Sequence, residues 1–185
     1  MLAYKAFDPG LICRDYQFVN GLNITDEANC ARNGFHSAEN PLDCLTYYSN
    51  LHRSEYHLVK VGGDRDEDAY DTKIACTELT ILKRLTPQQL LLHGLAYMVD
   101  HPRLEWSRHV KADECEASWG YAIVRGKDPV ARGKIGDILA LAKECPDTYN
   151  IERVALALVD GEKVMPDVWY DVDLNERTVD GDEKE

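Results

Sequence analysis

The residues best suited to chemistry gather in the stretch Gly34–Tyr48, GFHSAENPLDCLTYY. His36, Ser37, Glu39 and Asn40 bring a base, a hydroxyl, a carboxylate and an amide into one short run. At a strand end that leads into a helix N-terminus, such a set serves acid–base work or anion binding, because free N–H groups and the helix dipole attract anions there. A nucleophilic serine needs its base within hydrogen-bond reach on the same side. In an extended segment His36 shares a face with Ala38, and Ser37 shares the other with Glu39, so the adjacent pair is not read as a dyad. The plainer reading of the stretch is a well-capped structural junction with a buried or capping histidine.

Three further groups of residues bear on chemistry. Asp64, Asp66 and Asp68 match the opening of a calcium loop, but Ala69 stands at the loop glycine and Ala75 at the closing glutamate. With Glu67, these carboxylates read instead as a solvated hairpin loop or part of an acidic binding face. His93 and Tyr97 lie four apart on one helix face without a zincin pattern around them, so they read as core. The six cysteines form no CxxC pair and point to no metal site.

The elements that must position these residues follow from local signals. Asn33-Gly34 favours a turn with positive φ, and Phe35–Ala38 a short strand. Asn40 is a helix N-cap and Pro41 suits the first helical position, with Leu42, Leu45 and Tyr48 at helical spacing. Ala3–Phe7 and Leu11–Val19 read as extended segments. Glu55–Val61 and Thr72–Leu82 read as an antiparallel pair joined by the acidic loop Gly62–Asp71. Thr86 caps a helix with Leu90, Leu91, Leu95, Met98 and Val99 on one face, and Leu104–Val110 is expected to continue helically. Lys111–Ala117 reads as a polar connector, then Tyr121–Val124 and Val154–Val159 as strands. The expected fold class is therefore α+β, with antiparallel strands, a capped helix after GFHSAENP, a helical middle segment and a small β-rich C-terminal unit. The expected division is residues 1–85, a helical connector 86–118, a β-rich unit 119–175 and an acidic tail 176–185.

The formal charge of −12 on 185 residues argues against a nucleic-acid or anionic-membrane binder and permits a partner protein with a basic surface. The N-terminus reads without a secretory signal and no apolar run reaches spanning length, so a cytoplasmic protein with reduced cysteines is expected.

Tyr4-Lys5-Ala6-Phe7, Cys13-Arg14-Asp15-Tyr16-Gln17-Phe18, the run from Gly34 to Asp43 with Tyr47-Tyr48, and Lys73-Ile74-Ala75 resemble a family of unknown function common in phage and prophage proteins. Val159–Lys163 and Met165–Tyr170 resemble the closing segment of its longer members. Ala6 and Asp15 stand where the family has glycine. The resemblance implies a phage or prophage origin and a shared fold. With the acidic charge, it leads to the expectation of a non-enzymatic interaction protein, possible forms including an inhibitor of a host defence nuclease of the anti-CRISPR kind. A second expectation rests on similarity to ADP-ribosyltransferases, with Tyr4, His36 and Glu78 in chain order and NAD as cofactor; otherwise no cofactor is expected. A third is a nucleotide- or phosphate-binding module at the Asn40 helix start.

Overall fold

The computed structural model describes residues 1–68 and 71–179. Strands take 48% of the chain and helix 11%, which overturns the α+β expectation in favour of a mostly β protein. The chain forms two compact units that divide between Gly94 and Leu95.

The first unit contains strands β1 (Leu2–Phe7), β2 (Ile12–Cys13), β3 (Tyr16–Gln17), β4 (Gly21–Ile24), β5 (Phe35–Ala38), β6 (Glu55–Glu67) and β7 (Lys73–Leu85). The main sheet runs β4-β7-β5-β1-β6, and β6 also pairs with β7, so four strands close into a ring. Closure follows from the length of the β6–β7 hairpin. β7 pairs with β6 along most of its length while its first residues also pair with β5, and β6 uses its other edge for β1. Register shifts beside Val59 and between Gly62 and Arg65 bend this hairpin. Gly63 takes φ +65° at the second shift, where a Cβ would lie 2.1 Å from Thr77 Oγ1. The interior holds Phe7, Phe18, Phe35, Val59, Ile74 and Leu79.

The segment expected as an acidic loop is thus largely strand: β6 continues through Glu67, because pairing with β7 satisfies its backbone regardless of its polar side chains. Ala69, the residue at the calcium-loop glycine position, lies outside the described residues. The capped helix is a single 3-10 segment, Pro41–Thr46, rather than an α-helix. The cap itself forms as expected: Asn40 Oδ1 accepts from Leu42 N at 3.0 Å.

The helix α1 (Pro87–Asp100) starts with a reciprocal cap, Gln89 N donating to Thr86 Oγ1 and Thr86 N to Gln89 Oε1. The helical middle ends there. Residues 104–110 contain no helix, and the expected connector is strand β8 (Lys111–Glu116). Its polar sequence is held extended by parallel pairing with β9 (Tyr121–Arg132).

The second unit adds β10 (Ile138–Glu144), β11 (Ile151–Leu158), β12 (Trp169–Tyr170) and β13 (Glu176–Arg177), in the order β11-β10-β9-β12-β13 with β8 on β9. β9 and β10 are parallel although few residues separate them. The second half of β9, paired with β8, serves as part of the crossover that parallel strands require. Of the expected acidic tail, 176–177 pair with β12 and 180–185 lie outside the described residues. Among the described residues no helix is long and apolar enough to cross a membrane.

Arg125 is the largest fully buried side chain among the described residues. Its Nε donates to Glu144 Oε1 at 2.7 Å, one terminal nitrogen donates to the carbonyls of Pro102 and Tyr149, and its guanidinium lies 4.8 Å from the Trp106 ring centre. Removing one partner of such a pair strands the other charge and costs ~3–5 kcal/mol. Arg125→Met is expected to destabilise the second unit by about that amount, measured as a fall in the urea midpoint.

His109, hydrogen-bonded through Nδ1 to the Tyr121 hydroxyl, is lowered from 6.5 to about 4 by burial and by the nearby cations Arg108 and Lys111. Between those values the unfolded chain binds a proton that the folded unit refuses, so stability falls as pH drops from 6.5 towards 4. A urea midpoint followed over that window is expected to fall in the native protein and to fall less in His109→Gln.

Candidate functional site

The first unit contains a pocket of about 300 Å³. It lies where β1, β5 and the start of β7 approach the 3-10 segment and the β2–β3 turn. Gly34 sets the entry to β5: its φ of +86° and a would-be Cβ 2.8 Å from Ala28 Cα exclude any side chain. Thr72 fixes the opposite wall. Its hydroxyl accepts from Asn40 N at 2.9 Å and donates to Asp43 Oδ2 at 2.7 Å.

Lys5 is the unusual member. Its place in β1 follows strand alternation, with Ala3, Lys5 and Phe7 sharing the inward side. The side chain is 4% exposed. Its Nζ donates to His36 O at 2.7 Å and to Cys13 Sγ at 3.7 Å, and lies 5.2 Å and 5.0 Å from the Phe7 and Phe18 ring centres. No carboxylate forms an ion pair with it among the described residues. Burial pushes its ammonium below the ordinary lysine value, against the opposing pull of the Cys13 and Cys44 thiols.

Around it, Tyr48 Oη donates to Cys13 Sγ at 3.3 Å, and burial raises that phenol. The Tyr4 hydroxyl is hydrogen-bonded to His93 Nδ1 at 2.9 Å. Cys44 is pushed up to about 12 by burial and keeps its proton. Ser37 is 6% exposed, lines the pocket, and its Oγ has no hydrogen-bond partner. Arg14, exposed at φ +55°, also lines the pocket and makes no ion pair among the described residues. Lys73 is neutralised by Asp68 at 2.7 Å.

Of the residues singled out in the sequence, Tyr4, His36 and Ser37 meet in this pocket. His36 is lowered by burial and by the surrounding cations, against the raising effect of the hydrogen bond between its Nε2 and Asn29 O. Asn40 is buried and its amide oxygen is used by the cap, while Glu39 is exposed and outside the lining. Asp66 Oδ2 accepts from Cys30 N at 2.7 Å and Asp68 holds Lys73, so half of the acidic set is structural. Asp64 and Glu67 are exposed on β6. Glu78 is exposed on β7 across from Gly62 and does not line the pocket. Among the described residues no group of three or more His, Cys, Asp or Glu is placed to hold a metal ion. Lys5, Cys13 and Arg14 belong to no catalytic or binding motif in the sequence; the signal they offer is a lysine at the inward parity of an otherwise apolar strand.

A buried cation without a counter-charge opposes folding. Lys5→Met, similar in length and uncharged, is expected to stabilise the ligand-free protein by about 1 kcal/mol in urea unfolding.

No curated protein and no solved structure matches the chain. The model of a family described as a domain of unknown function, DUF7666, matches residues 1–93, the span that contains every residue of the pocket. Over that half of its length the chain belongs to the DUF7666 family.

Proposed function

We propose that the first unit is a binding module for a small anionic ligand of the phosphate or nucleotide class, held in the pocket around Lys5. The observation that carries this reading is the buried Lys5 ammonium, which among the described residues is ion-paired to no carboxylate, although Asp43 and Asp71 also line the pocket, and which shares that pocket with the Ser37 hydroxyl and with Arg14, neither of them partnered among the described residues. An anion supplies the charge that Lys5 lacks and the hydrogen bond that Ser37 lacks. The volume of about 300 Å³ matches the small end of ligand pockets, ~300–1,000 Å³. The site differs from the sequence expectation, which put the anion at the Asn40 helix start, because that cap is already occupied and its helix is only a six-residue 3-10 segment.

The motifs shared with phage and prophage proteins support a phage or prophage origin for the chain. A second reading, an acidic protein that docks on a basic host or phage surface in the manner of an anti-CRISPR inhibitor, draws on the charge of −12 and on the exposed Asp64 and Glu67. ADP-ribosyl transfer from NAD draws no support from Glu78, which is outside the pocket of Tyr4 and His36.

Titration calorimetry with inorganic pyrophosphate tests the first reading. Saturable binding is expected, weakened by salt and lost in Lys5→Met; no saturable heat at millimolar pyrophosphate would overturn it.

A further inference from the structure

Lys5 meets the requirements of an amine nucleophile as well as those of an anion ligand, and its burial together with its hydrogen bonds sets it apart from exposed lysines such as Lys60 and Lys83. A neutral amine has two N–H donors and one lone pair. The Lys5 nitrogen has two hydrogen-bond acceptors, His36 O at 2.7 Å and Cys13 Sγ at 3.7 Å. Those two take the two N–H groups and leave the lone pair unengaged. No carboxylate holds the third proton on, and burial favours its loss. Lys73, the other lysine lining the pocket, is the opposite case: Asp68 pins it in the charged state. Lys60, Lys83 and Lys127 are exposed.

We propose that Lys5 captures the carbonyl carbon of a small anionic aldehyde or 2-oxo acid as an imine. This deepens the reading of the pocket as an anion site and rests on it, since the anionic end of the ligand is what brings the carbonyl to the buried nitrogen.

The step balances within the pocket. The ammonium first releases its proton to water. The lone pair of the amine then attacks the carbonyl carbon, the carbonyl π pair moves onto oxygen, and a proton passes from the new ammonium nitrogen to that oxygen to give a carbinolamine hydroxyl. The hydroxyl leaves as water by taking back the proton first released to solvent, and the nitrogen lone pair forms the C=N bond of the protonated imine. The unpartnered Ser37 hydroxyl is available to the new carbinolamine oxygen. The Tyr4 and Tyr48 phenols, both raised by burial, stay protonated at the pocket wall, with the Tyr48 proton held by Cys13 Sγ. Arg14 supplies a cation for the carboxylate or phosphate end. The protonated imine keeps the positive charge at this point, so the product still pairs with the ligand's own anion. A desolvated lysine with no ion-pair partner is the ordinary form of an imine-forming residue.

Reductive trapping tests this in the full-length wild-type protein. Glyoxylate, an anionic aldehyde and 2-oxo acid, is added with sodium cyanoborohydride, and the modified lysines are located by peptide mass mapping. Lys5 is expected to be modified about tenfold faster than Lys60 or Lys83, and excess pyrophosphate to slow only Lys5. Propanal, of similar size and uncharged, is expected to give no preference for Lys5. Modification of Lys5 no faster than of Lys60 overturns the imine, and if pyrophosphate still binds, the anion pocket stands without it. Loss of both pyrophosphate binding and preferential trapping overturns both readings. Equal trapping of Lys5 by propanal and glyoxylate overturns the anionic class of the ligand.

Discussion

The first unit depends on one arrangement: a ring of four strands closed by the β6–β7 hairpin, with a lysine pointing inward. Closure removes edges and buries an apolar interior, and it also forces every residue of inward parity in β1 to leave water. Ala3 and Phe7 gain from that. Lys5 does not, and the structure meets its ammonium only with a carbonyl, a thiol and two ring faces. Each is a favourable contact for a cation, yet none is a counter-charge. The strand therefore carries a charge that its own fold leaves unbalanced, at the wall of an open pocket.

The second unit contains the contrasting case. Arg125 is more deeply buried than Lys5, but Glu144, two carbonyls and the Trp106 face account for its charge and donors. Arginine's planar group is well suited to such multiple fixed contacts, and its site has the character of a structural rivet. Lys5 has fewer contacts and a pocket beside it. Two buried cations in one chain thus differ in whether a carboxylate is paired with them.

Acidic residues follow the same division. Asp66 and Asp68 are drawn into the backbone of Cys30 and the ammonium of Lys73, and Asp43 receives the Thr72 hydroxyl. These contacts hold the pocket walls. Asp64, Glu67 and Glu78 remain on the surface. A carboxylate's place in the sequence of the hairpin does not say which of these it will be, because pairing register decides which residues meet a partner across the sheet.

Much of the local structure was legible in the sequence for reasons that act over a few residues. The Gly34 turn, the Asn40 cap, the Thr86 capped helix and the strands at Phe35 and Glu55 all form where turn chemistry and capping put them. The failures were at polar segments. Gly62–Glu67 and Lys111–Glu116 look like loops, and each is a strand because a partner strand satisfies its backbone. The helix expected beyond Asp100 is absent. Tyr4, His36 and Ser37 were chosen for chemistry and do share a pocket, whereas Lys5, Cys13 and Arg14 were not. The sequence alone determined the turns, caps and strand-forming runs, and the acidic charge. Only the tertiary structure decided that the sheet closes, that Lys5 is inside it without a counter-ion, and that Glu78 stands outside the pocket, because those facts depend on pairings between residues far apart in the chain.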